Sequence, residues 1–219
     1  MAKSRTALVA GATGLTGGHL LSQLLADTRY ARVIALVRRP ALPAAPKLSE
    51  LAIDFNALPA LAKADDAYCC LGTTIKKAGS QAAFREVDFE FVLDFARAAR
   101  QAGVKQFLVM SSLGADARSA VFYSRVKGEM EHALREIGFE ALHIFQPSLI
   151  LGERKEQRTA ERFGIAAFGA VGGLMFGPLR KYRPVESATI ARAMIGAAFS
   201  KQRGDRVYPS DAIETMARR

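Results

Sequence analysis

The chain has 219 residues, of which 50% are hydrophobic and 24% are charged, a composition that suits one compact domain and excludes a disordered chain. Thirty-one Lys and Arg against 21 Asp and Glu give a formal net charge of +10, which favours anionic ligands such as phosphates. The basic residues form short scattered clusters, so we expect no nucleic-acid partner. The adjacent cysteines Cys69 and Cys70 predict free thiols, and with no apolar leader at the start we expect a cytoplasmic protein.

Short apolar runs alternate with helical patterns as far as Pro147. Apolar residues spaced by three and four predict helices, one carrying Leu20 and Leu24, one over about Gln81–Ala102 and one over about Val121–Ile137. Alternating strands and helices imply parallel pairing and right-handed crossovers, so we expect an α/β fold with a doubly wound parallel sheet. The runs that predict strands are Thr6–Ala10, Arg32–Val37, Leu51–Asp54, Ala67–Leu71, Gln106–Met110 and Ala141–Phe145.

The chain after Pro147 carries weaker patterns. We expect a helix through the uncharged run Phe163–Leu179, a second helix over about Ser187–Phe199 and a short element near Arg206–Tyr208. Residues 1–219 would then form one domain, in which residues 148–219 contribute a reduced substrate-binding region.

The uncharged run 163–179 leaves three interpretations open. It is short for a bilayer span and rich in glycine, so it predicts a core helix, the apolar wall of a substrate pocket, or contact with a membrane surface. An apolar patch rimmed by positive charge suits an amphipathic substrate with an anionic head. The flanking basic residues are Arg154, Lys155, Arg158, Arg162, Arg180, Lys181 and Arg183.

A glycine-rich loop, GATGLTG at 11–17, follows the first predicted strand and precedes a helix. Glycines let the chain turn tightly and bring backbone N–H groups against a pyrophosphate, while the helix N-terminus faces the negative charge. The alternative is a tight turn without a ligand. The predicted cofactor-binding residues of this loop are Gly11, Thr13, Gly14, Leu15, Thr16 and Gly17.

The end of the second predicted strand distinguishes the two nicotinamide cofactors. NAD sites place an acidic residue there for the ribose 2′-hydroxyl, whereas this chain has Arg38 and Arg39. Two guanidinium groups suit a 2′-phosphate by charge and by geometry. We therefore predict NADP as the cofactor, the alternative being two surface arginines of a basic protein.

A Ser-Tyr-Lys set follows the fifth predicted strand. Tyr123 and Lys127 are four residues apart on a predicted helix and share a face, and Ser112 lies at the carboxyl edge of the sheet, where ligands of such folds bind. An ammonium group favours the phenolate form of a nearby tyrosine, and a serine hydroxyl polarises a substrate oxygen. Ser112, Tyr123 and Lys127 are the predicted catalytic residues of a carbonyl reduction.

These motifs resemble those of the short-chain dehydrogenase/reductase superfamily, and within it the atypical group that includes the Tat-interacting-protein-like oxidoreductases. The resemblance covers nearly the whole chain. It rests on GATGLTG at 11–17, VRRP at 37–40, YCCLGTT at 68–74, VMSSLGAD at 109–116, YSRVKGEMEHAL at 123–134 and KYRPVES at 181–187. It implies a Rossmann fold, with Tyr123 as the acid/base, Ser112 as its partner and Lys127 on the nicotinamide ribose.

The same resemblance implies further cofactor contacts and two departures. Gln146 stands where many relatives have Arg and Asp88 where many have Asn, which bears on substrate handling and on any proton relay. Ser111 is the alternative to Ser112 if the register differs by one. The implied cofactor-binding residues are Asp54 and Phe55 near adenine, Leu71, Gly72 and Thr73 along the cofactor, and Pro147 and Ser148 beside the nicotinamide.

The leading hypothesis is an NADP(H)-dependent oxidoreductase that acts on a carbonyl or an alcohol. The alternative is a non-enzymatic NADP(H)-binding regulator that senses redox state. A sugar-nucleotide epimerase ranks third, because little chain follows Pro147 to build a substrate lobe. We expect a small-molecule substrate, apolar or amphipathic, and a monomer or homodimer. The three histidines show no metal-ligand spacing, so we expect no metal.

Overall fold

The computed structural model describes residues 4–152 and 177–218. Its main sheet has seven strands in the order β3-β2-β1-β4-β5-β6-β9, and every neighbouring pair is parallel. Two short strands, β7 and β8, form a separate parallel pair. The strands are β1 (Arg5–Ala10), β2 (Tyr30–Val37), β3 (Leu48–Ala52), β4 (Asp66–Cys69), β5 (Gln106–Met110), β6 (Ala141–Gln146), β7 (Ile150–Leu151), β8 (Val185–Glu186) and β9 (Gly204–Pro209).

Helices connect the strands and cover both faces of the sheet. A π-helical turn, Glu86–Glu90, joins α3 to α4, and a 3-10 helix, Gly177–Tyr182, precedes β8. The α-helices are α1 (Leu15–Ala26), α2 (Ile75–Ala78), α3 (Gln81–Arg85), α4 (Phe91–Gln101), α5 (Phe122–Arg135), α6 (Ser187–Ala198) and α7 (Ser210–Met216).

Two apolar cores, one on each face of the sheet, follow from the alternation of side chains along the strands. In β1, Ala7 and Val9 point to the face covered by α1, α6 and α7, whereas Leu8 and Ala10 point to the face covered by α4 and α5. The predicted doubly wound α/β fold is therefore confirmed.

The third strand begins earlier than the sequence predicted. The prediction was Leu51–Asp54, but β3 covers Leu48–Ala52 and pairs with β2 from Val33–Leu48 to Val37–Ala52. As the edge strand of the sheet, β3 pairs on one side only and tolerates polar residues in its middle. Its apolar pattern is consequently discontinuous, and the run that attracted the prediction lies partly beyond it.

The predicted helix 81–102 is present but interrupted by the π-helical turn. A π turn holds more residues than an α turn, so the buried face shifts where the turn occurs. Phe84, Asp88 and Phe95 are buried, whereas Val87 and Phe91 of the predicted stripe are half-buried. The spacing of apolar residues in the sequence did not predict this π-helical turn.

The C-terminal part confirms two of the predicted elements. The helix predicted over Ser187–Phe199 is α6, and the short element near Arg206–Tyr208 is β9, which extends the sheet at the far side of β6. The expected helix through 163–179 lies outside the described residues up to position 176, and Leu179 lies exposed in the 3-10 helix. In the described ranges, no helix has the length and apolar character needed to cross a membrane.

Candidate functional site

The glycine loop has the shape that a phosphate cradle requires. Gly11 has φ +83°, and a Cβ there would come within 2.5 Å of the Cys70 carbonyl oxygen. A Cβ on Gly17 would overlap the Gly11 carbonyl oxygen, so α1 packs directly on the turn. The first glycine therefore permits the tight turn, and the third permits close packing of the helix on the strand.

The N-terminus of α1 opens onto a cavity. Gly14 precedes the helix and offers no side chain to cap it, and Gly14, Leu15 and Thr16 line the cavity wall. Uncapped N–H groups at the start of a helix attract anions, because they combine hydrogen-bond donors with the positive end of the helix dipole. The residues present therefore fit the pyrophosphate of a dinucleotide.

The cavity lies at the carboxyl ends of β1, β4 and β5 and has a volume of about 780 Å³, within the range of small-molecule sites. It brings together residues predicted from three separate motifs. Those that line it are Thr13, Gly14, Leu15, Thr16, Leu71, Gly72, Thr73, Tyr123 and Lys127.

A second depression, of about 550 Å³, lies at the end of β2 and is lined by Thr13, Arg38 and Arg39 among others. Thr13 borders both spaces, so the two lie next to each other along the sheet edge. Glu50 of β3 also reaches this loop, but its carboxylate accepts hydrogen bonds from the backbone amides of Ala41 and Leu42. The two exposed arginines fit a 2′-phosphate at the adenosine end of a bound nucleotide.

Tyr123 and Lys127 lie on the face of α5 that borders the cavity. The Tyr123 ring packs against Phe84, with 5.4 Å between ring centroids. Lys127 is 4% exposed, and its Nζ lies 2.7 Å from Asp88 Oδ1. The other carboxylate oxygen of Asp88 accepts a hydrogen bond from the Thr73 amide at 2.8 Å. Burial acts to lower the pKa of Lys127, but the Asp88 carboxylate, with smaller contributions from Tyr123 and Cys69, outweighs burial and the pKa is raised.

Ser111, rather than Ser112, lines the cavity. The Ser111 amide donates to the Phe145 carbonyl and the Leu113 amide to the Pro147 carbonyl, so both serines lie in a segment that runs beside the end of β6. The Ser111 hydroxyl donates to Glu131 Oε1, and Gln146 Nε2 donates to the same oxygen at 2.8 Å. The serine that sequence analysis held as the alternative is thus the one placed beside Tyr123 and Lys127, and the catalytic role predicted for Ser112 stays a prediction.

Two predicted adenine contacts lie away from the cavity lining. Asp54 is exposed, and its carboxylate accepts a hydrogen bond from the Asn56 amide in a local turn. Phe55 is 6% exposed and stacks on Phe91, with 5.2 Å between centroids. Both are engaged locally, and their roles toward adenine stay predictions.

Pro147 and Ser148 form hydrogen bonds with neighbouring loops of the protein. The Pro147 carbonyl accepts a hydrogen bond from the Leu113 amide at 3.0 Å. The Ser148 hydroxyl is 2.6 Å from the Arg183 carbonyl oxygen, and its amide donates to Ser210 Oγ. These bonds fix the chain after β5 and β6 at the rim of the site, and cofactor contacts from either residue stay predictions.

Glu131 is a site residue that sequence analysis missed. It is 4% exposed and holds two groups at the cavity edge, Ser111 and Gln146. The available signal was its spacing, because Tyr123, Lys127 and Glu131 follow one another at four-residue intervals along one helix face.

Comparison with known proteins agrees with this geometry. A family model described as NAD(P)H-binding matches residues 11–160. The chain is 37% identical over 208 residues to the mitochondrial protein fmp52 of Aspergillus clavatus, which covers 89% of this chain and 87% of that protein. It is 35% identical over 176 residues to protein HTATIP2 of Rattus norvegicus, which covers 77% of this chain and 72% of that protein.

A solved structure shares the fold at lower identity. MoeE5 in complex with UDP-glucuronic acid and NAD superposes with a TM-score of 0.71 at 20% identity, over 93% of this chain and 75% of that chain. The resemblance to Tat-interacting-protein-like oxidoreductases that the motifs carried is confirmed. The chain belongs to the NAD(P)H-binding family of Rossmann proteins and is a relative of HTATIP2 and fmp52.

Proposed function

We propose that the protein is an NADP(H)-dependent oxidoreductase that interconverts a carbonyl compound and an alcohol. One observation carries the proposal: Tyr123 and Lys127 line the same cavity as the glycine loop. A nucleotide held with its pyrophosphate at the start of α1 would extend into the cavity that these two side chains line. A bound nicotinamide would supply or accept the hydride there.

The protein's own groups account for proton transfer and orientation. Lys127 uses one N–H toward Asp88 and keeps the others for ribose hydroxyls. The Tyr123 phenol can give its proton to a carbonyl oxygen bound in the cavity. Because the Ser111 hydroxyl donates to Glu131, its lone pairs stay available to accept a hydrogen bond from the phenol or from a substrate hydroxyl.

The preference for NADP belongs to the same proposal and is supported by Arg38 and Arg39 at the end of β2. Their guanidinium groups would each make a charge-assisted contact with a 2′-phosphate. The engagement of Glu50 by two backbone amides leaves its carboxylate less able to compete for the arginines.

A non-enzymatic NADP(H)-binding regulator is the second candidate. The specific observation in its favour is the Lys127–Asp88 pair, because a compensated ammonium activates a tyrosine less strongly as a base. A pure sensor, however, has no need of a tyrosine at the nicotinamide end. A small apolar or amphipathic substrate, a monomer or homodimer, and a cytoplasmic location remain parts of our proposal; the name of the Aspergillus relative places that protein in mitochondria.

Two substitutions test the proposal. Tyr123→Phe should leave NADPH affinity nearly intact and lower turnover of any aldehyde or ketone substrate by about 10²–10⁴-fold, the usual contribution of a positioned acid. Lys127→Ala should weaken both, since only Lys127 is expected to contact the ribose. Fluorescence titration of NADPH and reduction assays on a panel of aldehydes and ketones give the two readouts.

Tyr182→Phe is the matched control, because Tyr182 lies exposed in the 3-10 helix and should change neither quantity. A Tyr123→Phe variant that kept the wild-type rate would reject the acid role and favour the regulator.

A further inference from the structure

Asp88 occupies an unusual place in the fold. It lies in the π-helical turn Glu86–Glu90, between α3 and α4, and its residue is 1% exposed. Such turns insert an extra residue into a helix and often occur at functional sites, since the insertion redirects a side chain. Here the turn presents a carboxylate to the wall of the cavity.

Both oxygens of this carboxylate are committed to groups that border the cavity. Oδ1 lies 2.7 Å from Lys127 Nζ, and Oδ2 accepts from the Thr73 amide at 2.8 Å. A Cβ on Gly72 would lie 3.4 Å from Asp88 Oδ1 and 3.9 Å from Lys127 Nζ. Both distances are ordinary van der Waals contacts, so the ion pair lies directly beside the loop that follows β4.

Lys127 is the buried cation on the Tyr123 side of this cavity, and its charge is matched by Asp88 at close range. An unpaired ammonium at this position would favour the phenolate form of Tyr123. An ammonium paired with a carboxylate has a much smaller net electrostatic effect on that phenol. Burial alone would lower the pKa of Lys127, but the Asp88 charge, with smaller contributions from Tyr123 and Cys69, raises it, so Lys127 stays an ammonium.

The remaining charged groups around Tyr123 leave this balance in place. On its own helix, Glu131 is occupied by Ser111 and Gln146, and from α3 Arg85 pairs with Glu129. Three other titratable groups line the cavity: Lys77 on α2 and His19 on α1, which are exposed, and the Cys70 thiol, whose pKa is raised by burial so that it stays uncharged. Solvent screens such exposed groups far more than it screens a buried pair.

We propose that Asp88 is a positioning residue that neutralises the Lys127 ammonium, so that this ammonium promotes ionisation of the Tyr123 phenol far less than an unpaired one would, and the phenol serves as the proton donor of a carbonyl reduction. In that reaction the carbonyl carbon accepts a hydride from a reduced nicotinamide and the carbonyl oxygen accepts the phenol proton. The C=O π bond breaks, one C–H and one O–H bond form, the nicotinamide is oxidised, and the phenolate regains a proton from solvent. The direction of reaction rests on the proposed function; the charge balance does not.

The experiment measures the tyrosinate that Tyr123 contributes, by near-ultraviolet difference absorbance at one mildly alkaline pH. Wild type is compared with Tyr123→Phe, and Asp88→Asn is compared with Asp88→Asn/Tyr123→Phe. In each difference the absorbance of the other four of the five tyrosines cancels. We expect about tenfold or more tyrosinate from Tyr123 in the Asp88→Asn background, because an uncompensated buried cation one helical turn away on the same face shifts ionisation by about that factor. Adding Lys127→Met to Asp88→Asn should abolish the increase.

Asp94→Asn is the matched control: this exposed acid pairs with Arg97 on the surface of α4, and its loss should leave the Tyr123 signal unchanged. Equal tyrosinate with and without Asp88 would overturn the proposal. If Asp88→Asn does not fold, wild type minus Tyr123→Phe at the same mildly alkaline pH decides alone: a tyrosinate fraction well above that of a free phenol, whose pKa is near 10, overturns the proposal, and a fraction at or below it supports the proposal. A rise in tyrosinate without turnover of any carbonyl compound supports the charge compensation by Asp88 and rejects the oxidoreductase function. Turnover without a rise in tyrosinate supports the oxidoreductase function and rejects the charge compensation.

Discussion

Two buried polar networks lie at opposite edges of the same sheet. They differ in how many hydrogen-bond donors and acceptors they leave without a protein partner. At the carboxyl edge, the Lys127–Asp88 and Ser111–Glu131 pairs border an open cavity. At the amino edge, a chain of hydrogen bonds runs inside the protein across the starts of the central strands. Its members are Arg5, Tyr30, Asp66, Tyr68, Gln106, His143, Gln202 and Tyr208.

In the amino-edge network, protein groups bond to one another. Asp66 accepts from Arg5, from the Tyr30 hydroxyl at 2.6 Å and from Gln106 Nε2 at 2.7 Å. His143 then links Gln106 to Tyr208. Burial raises the pKa of Asp66 to about 6, against the opposing influence of Arg5 and the hydrogen bonds. Burial also lowers the pKa of His143 to about 4.

The two networks differ in whether their polar groups have hydrogen-bonding capacity left over for a ligand. In the amino-edge network the partners of each group are other protein groups, so its substitution should change stability. At the cavity edge, Lys127 and Ser111 keep donors or lone pairs directed to the cavity, so changes there should alter ligand binding and chemistry.

The largest expected effect comes from breaking the amino-edge network with Asp66→Ala. The substitution leaves Arg5, Tyr30 and Gln106 without their common acceptor. Removing one partner of a buried ion pair typically costs about 3–5 kcal/mol, and chemical denaturation should show a loss of this size. The folded fraction should bind NADPH with wild-type affinity.

Asp94→Ala is the surface control, and it should lose no more than about 0.5 kcal/mol. An Asp66→Ala variant of wild-type stability but weakened cofactor binding would reverse the assignment of the two edges.

At the cavity edge, the arginines after β2 should determine cofactor choice. Wild type should bind NADPH at least about tenfold more tightly than NADH, since two charge-assisted contacts contribute roughly 1.5–3 kcal/mol each. Arg38→Ala/Arg39→Ala should remove most of this preference with little loss of stability, because both residues are exposed. Titration of the two cofactors measures the ratio.

Arg32→Ala, at an exposed position of the same strand, should keep the preference. Equal affinity of the wild type for NADPH and NADH would show that the arginines do not read the 2′-phosphate.

The smallest expected effect concerns the pH dependence of stability at the amino edge. His143 has a pKa lowered from 6.5 to about 4, so the unfolded chain binds more protons in that window and His143 makes stability fall on acidification. Asp66 has a pKa raised from 3.8 to about 6, so it contributes the opposite slope. His143→Gln should therefore remove a slope of about 1 kcal/mol per pH unit between pH 4 and 6.5.

Denaturation midpoints at a series of pH values measure this slope. His132→Gln, at an exposed position of α5, should run parallel to wild type. If His143→Gln also ran parallel to wild type, the histidine would not be held neutral by burial.

The sequence predicted most of the sheet because buried parallel strands are continuous apolar runs. Gln106–Met110 was predicted with the bounds that β5 has, and the glycine loop identified the cofactor edge through its spacing. The edge strand β3 was misplaced because one-sided pairing leaves polar residues in its middle.

The details of the site were harder to predict than its location. The choice between Ser111 and Ser112 depends on which of two adjacent side chains faces the cavity just after β5, a feature that two identical residue types do not reveal. Asp88 was noted as a departure, but its pairing with Lys127 depends on a π-helical turn that apolar spacing does not reveal. Phe55 was predicted as an adenine contact; its stacking on Phe91 could not be read from the sequence, and its role toward adenine stays a prediction.

The position of β9 has a consequence for how the chain folds during synthesis. This strand, near the end of the chain, pairs with β6 in register from Ala141–Gly204 to Gln146–Pro209. Until it leaves the ribosome, β6 is an unpaired edge, and His143 lacks its Tyr208 partner. Parallel pairings between distant segments close late and slowly, since loop-closure entropy is lost before contacts form. We therefore expect folding on the millisecond-to-second scale, with β9 docking as a late event that completes the sheet.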